Sequence, residues 1–227
     1  PPRSTQGVSS AASDVYKRQA LVASNSLNFF DAIRLVKKRG ELMHSSIEPN
    51  VSGMAAIIGK NADFIDDVIN KNNLKIVIAN DNSPMQVVVS GLIEDIKSSE
   101  QVFSENGIKR YIKLNVSAAF HSNFMNDAQS KLINEIDKIN FKNINLPIIS
   151  NYDSTINSHK ESIIYALKNQ MANRVRWTDS IRKLESTDIN QIIEIGPGKV
   201  LSGLITRITK KFDIKSFDKI EDLKKFN

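Results

Sequence analysis

Arg39 is a cationic side chain on the predicted buried face of a helix. Residues 28–45 carry apolar side chains at helical spacing, and Asn28 is the predicted N-cap. A buried guanidinium costs several kcal/mol unless an anion compensates its charge. Two interpretations stay open, a structural ion pair with an internal carboxylate or a bidentate clamp on a substrate carboxylate. The residues one turn away on either side are all apolar: Leu35, Val36, Leu42 and Met43.

His121 is the second side chain that could do chemistry. It follows a strand predicted at 108–116 and precedes a helix predicted at 122–139. Ligands bind at such strand ends in α/β sheets, so a catalytic base and a structural histidine are equally open. No second histidine or carboxylate stands at ligand spacing from His121, so we predict no metal site.

The turn at 194–199, with the sequence EIGPGK, resembles a phosphate cradle. It lacks the spacing G-x-x-x-x-G-K-[ST] that a P-loop needs. We therefore interpret it as a rigid connection between a strand and a helix.

The elements that position these residues alternate between strands and helices. Residues 53–117 have the order strand, helix, strand, strand, helix, strand, which predicts an inserted ferredoxin-like (βαββαβ) subdomain. On both sides of it, alternating strands and helices predict an α/β fold with a mostly parallel sheet. The predicted large subdomain comprises residues 20–52 and 118–227, and includes a buried strand at 146–150. Residues 1–19 have no apolar period, so we expect a non-native or disordered tail.

Composition excludes several classes of protein. The 227 residues contain no cysteine, which excludes disulfides, thiolate metal sites and thiol nucleophiles. No apolar run reaches the roughly 18–20 residues of a membrane span, and there is no secretory signal, so we expect a cytoplasmic protein. We also expect a monomer. The net charge of +6 comes from scattered lysines typical of solvated helix faces. It favours no nucleic-acid partner, although it suits a coenzyme A ester or an acidic protein.

Seven short segments together resemble one family, the malonyl-CoA:acyl-carrier-protein transacylases. They occur in the family's order and spacing over residues 20–210. The segments are DAIRLVKKRGELM at 31–43, GMAAIIG at 53–59, NDNSPMQVVVSG at 80–91, VSAAFHSNFM at 116–125, LPIISN at 146–151, RVRWTDSI at 174–181 and EIGPGKVLSGL at 194–204.

The resemblance implies an α/β-hydrolase-like fold and a role for four residues. It implies that Arg39 grips the free carboxylate of malonate and that His121 is the base paired with a nucleophilic serine. It implies that the backbone carbonyl of Gln170 orients the imidazole. Phe120 resembles the residue found in the malonyl-preferring form of this motif. A bulky ring there would crowd a branched acyl group, which implies a preference for malonyl over methylmalonyl.

The reaction that the resemblance implies is ping-pong acyl transfer in fatty-acid biosynthesis. Serine attacks malonyl-CoA to form a seryl ester, which the phosphopantetheine thiol of acyl carrier protein then attacks. No bound cofactor is implied. The expected partners are acyl carrier protein and the coenzyme A thioester.

The sequence departs from the family at its start. No G-x-S-x-G occurs in the chain, and by register the serine would fall near Asp14. The expectation is therefore an N-terminally truncated chain that lacks the nucleophile and is inactive alone.

Two other functions remain open. A non-catalytic RNA-binding module is disfavoured because the strands of the insert lack stacking aromatics, with Ile76, Val77, Val87 and Val88 at the relevant positions. An acyltransferase of different acyl specificity is the second alternative.

Overall fold

The computed structural model describes residues 10–48 and 50–224. Strands and helices alternate along the described chain, which confirms the α/β class. Among these residues, no helix combines the length and apolar character needed to cross a bilayer.

Helix α1 (Ser10–Ala23) begins inside the region predicted to be a tail. Residues 10–19 are therefore helical and not a disordered tail, whereas residues 1–9 lie outside the described residues. At the C-terminal end of this helix one face is buried, because Arg18 and Leu21 are one turn apart and only 2% and 1% exposed. Leu21 joins the main hydrophobic core of the large subdomain.

Helix α2 (Phe29–His44) lies within the predicted range 28–45 and has the predicted cap. The side chain of Asn28 accepts a hydrogen bond from the backbone N–H of Asp31 at 2.9 Å. The buried face includes Arg39, whereas Phe29 and Phe30 at the start of the helix are exposed. The neighbours of Arg39 on this face, Leu35, Leu42 and Met43, pack into the core. The Arg39 side chain is therefore buried beside them.

The inserted subdomain has the predicted order of elements and a four-stranded antiparallel arrangement. Its strands lie in the order β4-β1-β3-β2, which is the ferredoxin-like topology. Both helices cover one face of the sheet, where aliphatic side chains and Phe103 form a separate core. The elements are β1 (Ser52–Ile58), α3 (Ala62–Lys71), β2 (Ile76–Ser83), β3 (Gln86–Leu92), α4 (Ile93–Glu105) and β4 (Arg110–Lys113).

The rest of the large subdomain follows as short strands between helices. A 3-10 turn at Asn123–Met125 leads into α5 (Asn126–Ile136). The later helices are α6 (Lys160–Asn169), α7 (Trp177–Glu185), α8 (Val200–Ile208) and α9 (Ile220–Leu223). The later strands are β5 (Ile148–Ile149), β6 (Ile156–Asn157), β7 (Val175–Arg176), β8 (Gln191–Ile195) and β9 (Asp213–Phe217).

Parallel pairing joins β8 to β9 and, more importantly, β7 to β2. Strand β7 thus extends the sheet of the inserted subdomain to the order β4-β1-β3-β2-β7. The two subdomains therefore share one sheet, and the chain on either side of β7 is tied to the insert.

The predicted buried strand at 146–150 is wrong in extent and burial. Only Ile148–Ile149 forms a strand, and both residues are half-buried. Leu146 is exposed. The reason is that β5 pairs with the two-residue strand β6 alone, which leaves most of the segment outside any sheet.

Candidate active site

His121 lies in the loop between β4 and the 3-10 turn, and it is 1% exposed. Its φ angle is +57°, in the left-handed region that non-glycine residues seldom occupy. Such backbone conformations cost about 1–3 kcal/mol and cluster at functional sites, because the surrounding structure must impose them.

Three serine hydroxyls impose the path of this loop. The backbone N–H of Ala119 donates to Oγ of Ser52 at 2.9 Å, and Oγ of Ser90 donates to the carbonyl of Phe120 at 2.6 Å. Oγ of Ser122 donates to the carbonyl of Ala119 at 2.6 Å. Ser52 lies on β1 and Ser90 on β3, so the inserted sheet holds the histidine loop directly.

Sequence reasoning missed these serines, although a signal was present. Ser90 is buried at the end of the apolar run VVV, and Ser52 is buried at the first position of the apolar strand β1. A buried hydroxyl in an apolar strand requires a hydrogen-bond partner, which points to a nearby loop.

The imidazole of His121 faces two backbone carbonyls. Its Nδ1 lies 3.1 Å from the carbonyl oxygen of Gln170 and 3.1 Å from that of Asn173. A carbonyl oxygen can only accept, so Nδ1 carries the proton and donates. The neutral ring then has its lone pair on Nε2, which is the protonation state that a general base requires.

The turn at 170–173, here called the carbonyl turn, follows α6 and supplies both carbonyls. Hydrogen bonds from its own side chains and from α5 hold it in place. The side chain of Asn173 donates to the carbonyl of Asn169 at 2.7 Å. The backbone N–H of Ala172 donates to Oε1 of Gln129 at 2.9 Å. The contact to Gln170 is the one that the resemblance implied, whereas Asn173 was missed because a backbone acceptor has no signature in the side-chain pattern.

Arg39 is buried on α2, and it is 6% exposed. Its helix packs against α5, which follows the histidine loop. Its neighbours Leu35 and Met43 share one core with Ala118 and Met125, which flank that loop. Arg39 and His121 thus project from elements of the same core.

Phe120 is half-buried and contacts two hydrophobic cores. It packs against the main core of the large subdomain and against the smaller cluster that includes Met54 and Val88 on the inserted sheet. The ring lies where the two subdomains meet, directly before His121.

A small, partly open cavity of about 20 Å³ adjoins the carbonyl turn. Its lining is mostly apolar and includes Leu21, Ile148, Leu167 and Gln170. His121 and Arg39 are not part of this lining. The cavity therefore lies beside Gln170, whose carbonyl contacts the imidazole, and not beside the imidazole itself.

The glycine turn at 194–199 connects β8 to α8, and its own carboxylate binds the N-terminus of α8. The carboxylate of Glu194 accepts from the backbone N–H groups of Leu201 and Ser202 at 3.1 and 2.8 Å. A side chain thus occupies the helix N-terminus where a phosphate would otherwise bind. This agrees with the interpretation of the turn as a structural connection.

A buried charge network lies beside the carbonyl turn. Asp81 on β2 is 5% exposed and accepts from Oγ1 of Thr178 at 2.6 Å. Burial raises the pKa of Asp81 above its ordinary value, while the bond from Thr178 and the charge of Arg174 act in the opposite direction. Among residues 10–48 and 50–224, no cluster of His, Asp and Glu is arranged to hold a metal ion.

The fold and the site define an α/β protein with a buried histidine whose ring is oriented by backbone carbonyls, where a Ser-His-Asp arrangement has a carboxylate. The chain belongs to the acyl transferase domain family, whose model matches residues 18–225.

Several malonyl transacylases are similar to this chain in sequence and in structure. The malonyl CoA-acyl carrier protein transacylase of Bacillus subtilis is 39% identical over 196 residues, which cover 85% of this chain and 62% of the relative. The corresponding enzyme of Clostridium perfringens has a crystal structure that matches with a TM-score of 0.87 and 33% identity, over 92% of this chain and 66% of that one. A malonyl-transacylase in complex with a type II polyketide acyl-carrier protein, PlMCAT:AntF, matches with a TM-score of 0.86 and 32% identity over 91% of this chain and 68% of that one. The chain thus spans somewhat under two thirds of the first two relatives.

Proposed function

We propose that this chain supplies the base and the carboxylate clamp for transfer of a malonyl group from malonyl-CoA to the phosphopantetheine thiol of an acyl carrier protein. The observation that carries the proposal is the contact of His121 Nδ1 with two carbonyls, since it leaves Nε2 as a proton acceptor. The names of the relatives, which are malonyl transacylases, support malonyl as the acyl group.

The proposed chemistry is a two-step exchange through a seryl ester. Nε2 of His121 takes the proton of a serine hydroxyl as its oxygen attacks the thioester carbonyl, and the coenzyme A thiol leaves with that proton. In the second step Nε2 takes the proton of the phosphopantetheine thiol, whose sulfur attacks the ester and releases the serine. Backbone carbonyls suit this role because they stabilise the imidazolium that forms transiently.

The serine of this proposal is not part of a nucleophile elbow in the 227 residues, because no G-x-S-x-G occurs there. We therefore infer that the chain by itself transfers no malonyl group.

Arg39 and Phe120 are the proposed determinants of the acyl group. A buried guanidinium suits the free carboxylate of malonate, since it offers two parallel N–H donors in a site that excludes water. Phe120, held between two cores, is not free to move away from a branched acyl group. Malonyl is therefore preferred over methylmalonyl in the proposed reaction.

A hybrid protein tests the proposal. The N-terminal part of the Bacillus subtilis relative, ending just before the residue aligned with Arg18, is joined to residues 18–227 of this chain, which contain the family match. We expect the hybrid to transfer labelled malonate from malonyl-CoA to an acyl carrier protein, and the chain alone to transfer none. The His121→Ala hybrid should lose the activity, while His159→Ala, at an exposed position, should retain it. A folded hybrid without transfer, or an active His121→Ala hybrid, would overturn the proposal.

A further inference from the structure

Arg174 leaves the carbonyl turn and binds the inserted subdomain. It follows directly after Asn173, whose carbonyl accepts from His121. One terminal nitrogen of the guanidinium lies 3.0 Å from Oδ2 of Asp66 on α3, and the other lies 3.5 Å from Oδ2 of Asp81 on β2. The Arg174 side chain is 18% exposed and that of Asp81 is 7% exposed, so the second pair is largely shielded from water.

Asp81 also binds the chain on the far side of β7. Its Oδ1 accepts from Oγ1 of Thr178 at 2.6 Å, and its backbone carbonyl accepts from the same hydroxyl at 3.3 Å. Between these two attachments, β7 pairs with β2, with Asp81 opposite Arg176. One carboxylate thus joins the residue before β7 and a residue after it to the inserted sheet.

The same sheet holds the loop that carries His121. Ser52 on β1 binds Ala119, and Ser90 on β3 binds Phe120, directly before the histidine. Hydrogen bonds from β1 and β3 therefore fix the loop that carries the imidazole, and contacts from β2 fix the end of the carbonyl turn. His121 and the turn whose carbonyls it contacts are thus both attached to one sheet, although Gln170 and Asn173 lie 49 and 52 residues from His121 in the sequence.

We propose that Arg174 and Asp81 are positioning residues for His121: their ion pair sets where the carbonyls of Gln170 and Asn173 lie relative to Nδ1. The importance of this contact for catalysis rests on the proposed function, whereas the contact itself is a property of the folded chain. Productive geometry at such a site tolerates displacements of only about 0.5 Å, and a 3.1 Å hydrogen bond weakens within that range.

The chain offers a matched control two residues away. Arg176 pairs with Asp179 at 3.9 Å, but both side chains are nearly half exposed and the pair is the i, i+3 contact of a helix start. Removal of its charge changes the surface without touching the carbonyl turn. Comparison of Arg174→Met with Arg176→Met therefore separates positioning from a general loss of positive charge.

The test is ¹⁵N NMR of the chain labelled at histidine, at a pH where His121 is neutral. The ¹⁵N shifts of Nδ1 and Nε2 report which nitrogen carries the proton, and exchange spectroscopy reports how fast the Nδ1 proton is lost to water. We expect Arg174→Met and Asp81→Asn to lower the ratio of the Nδ1-protonated to the Nε2-protonated form, and to speed exchange, by about 3- to 10-fold each. Arg174→Lys should restore part of the effect, and Arg176→Met should match the unaltered chain.

The possible outcomes are distinct. If Arg174→Met loses its dispersed amide spectrum, Asp81→Asn and Arg174→Lys decide the question, because both retain side-chain volume and hydrogen-bonding groups. Folded Arg174→Met and Asp81→Asn chains whose His121 signals equal those of the control would overturn the inference. That result would leave malonyl transfer by the hybrid untouched, and an inactive hybrid would equally leave the NMR result standing.

Discussion

The carbonyl oxygen of Gln170 lies 3.1 Å from Nδ1 of His121, across 49 residues of sequence. It shares this position with the carbonyl of Asn173, so the imidazole has two acceptors on one ring nitrogen. A carboxylate in the same place would add a negative charge beside the ring. Two carbonyl dipoles orient the ring without that charge, and they come from a turn that other contacts hold in place.

The first prediction concerns the tautomer of His121 in the unaltered chain. We expect the neutral ring to carry its proton on Nδ1, because both acceptors face that nitrogen. The ¹⁵N shifts of the ring nitrogens measure this, with exposed His44 and His159 as internal references. A neutral His121 protonated mainly on Nε2 would contradict the geometry described above.

The second prediction concerns the clamp formed by Arg39. Arg39→Ala should weaken equilibrium binding of malonyl-CoA to the chain about 10- to 150-fold, because a charged hydrogen-bond pair is lost. Acetyl-CoA has no free carboxylate, so its binding should stay unchanged. The matched control is Arg34→Ala, whose side chain is 81% exposed on the same helix and which should alter neither affinity. Equal losses for the malonyl and acetyl esters would assign Arg39 to structure and not to recognition.

The third prediction concerns the serine that holds the histidine loop. Ser90→Ala leaves the carbonyl of Phe120 buried without its 2.6 Å donor, so the free energy of unfolding should fall by about 1–3 kcal/mol. Urea unfolding measures the change. Ser130→Ala, which removes a hydroxyl bonded at the exposed surface of α5, should change stability by less than about 0.5 kcal/mol. If the two substitutions cost the same, the loop does not depend on Ser90.

The fourth prediction concerns pH and Asp81. Burial raises the pKa of Asp81 above the ordinary 3.8, opposed by Thr178 and Arg174, while Asp179 and Arg182 also act on it. Between 3.8 and the raised value the folded state binds more protons than the unfolded state, so this residue's contribution to stability falls as pH rises through that window. Below 3.8 and above the raised value it is constant. Relative to Asp81→Asn, the unaltered chain should therefore lose stability over this window in urea unfolding, and a difference that rises with pH would reverse the sign.

The fifth prediction concerns Tyr111 at alkaline pH. Burial raises its pKa from 10.0 to about 12, although the hydroxyl of Ser99 acts against this shift. The folded state keeps the phenolic proton between these values, so the stability contribution present below pH 10.0 is lost as pH rises to about 12. Tyr111→Phe should be less stable at pH 8, because it lacks the 2.8 Å bond to the carbonyl of Ile96, and should lose less on going to pH 12. Parallel curves for the two proteins would show that Tyr111 does not cause the alkaline loss.

Much of the fold follows from local patterns. The strand and helix order of the insert was readable because apolar side chains repeat with period two or three to four, and the packed sheet preserves that order. The 146–150 segment misled the same reasoning, because an apolar run indicates burial without showing whether a neighbouring strand exists to pair with it. Exposed Leu146 is the consequence.

Local sequence patterns are sufficient to predict which side chains can do chemistry and their immediate setting. Arg39 must be buried because its neighbours one helical turn away are apolar, and the collinear motifs indicated a base at His121 and a supporting carbonyl at Gln170. The second acceptor at Asn173, the serine hydrogen bonds and the Arg174–Asp81 pair become apparent only in the folded chain. The reason is that every residue has a carbonyl and every buried hydroxyl or ion needs some partner. Which of them meet depends on how distant segments are held against one sheet.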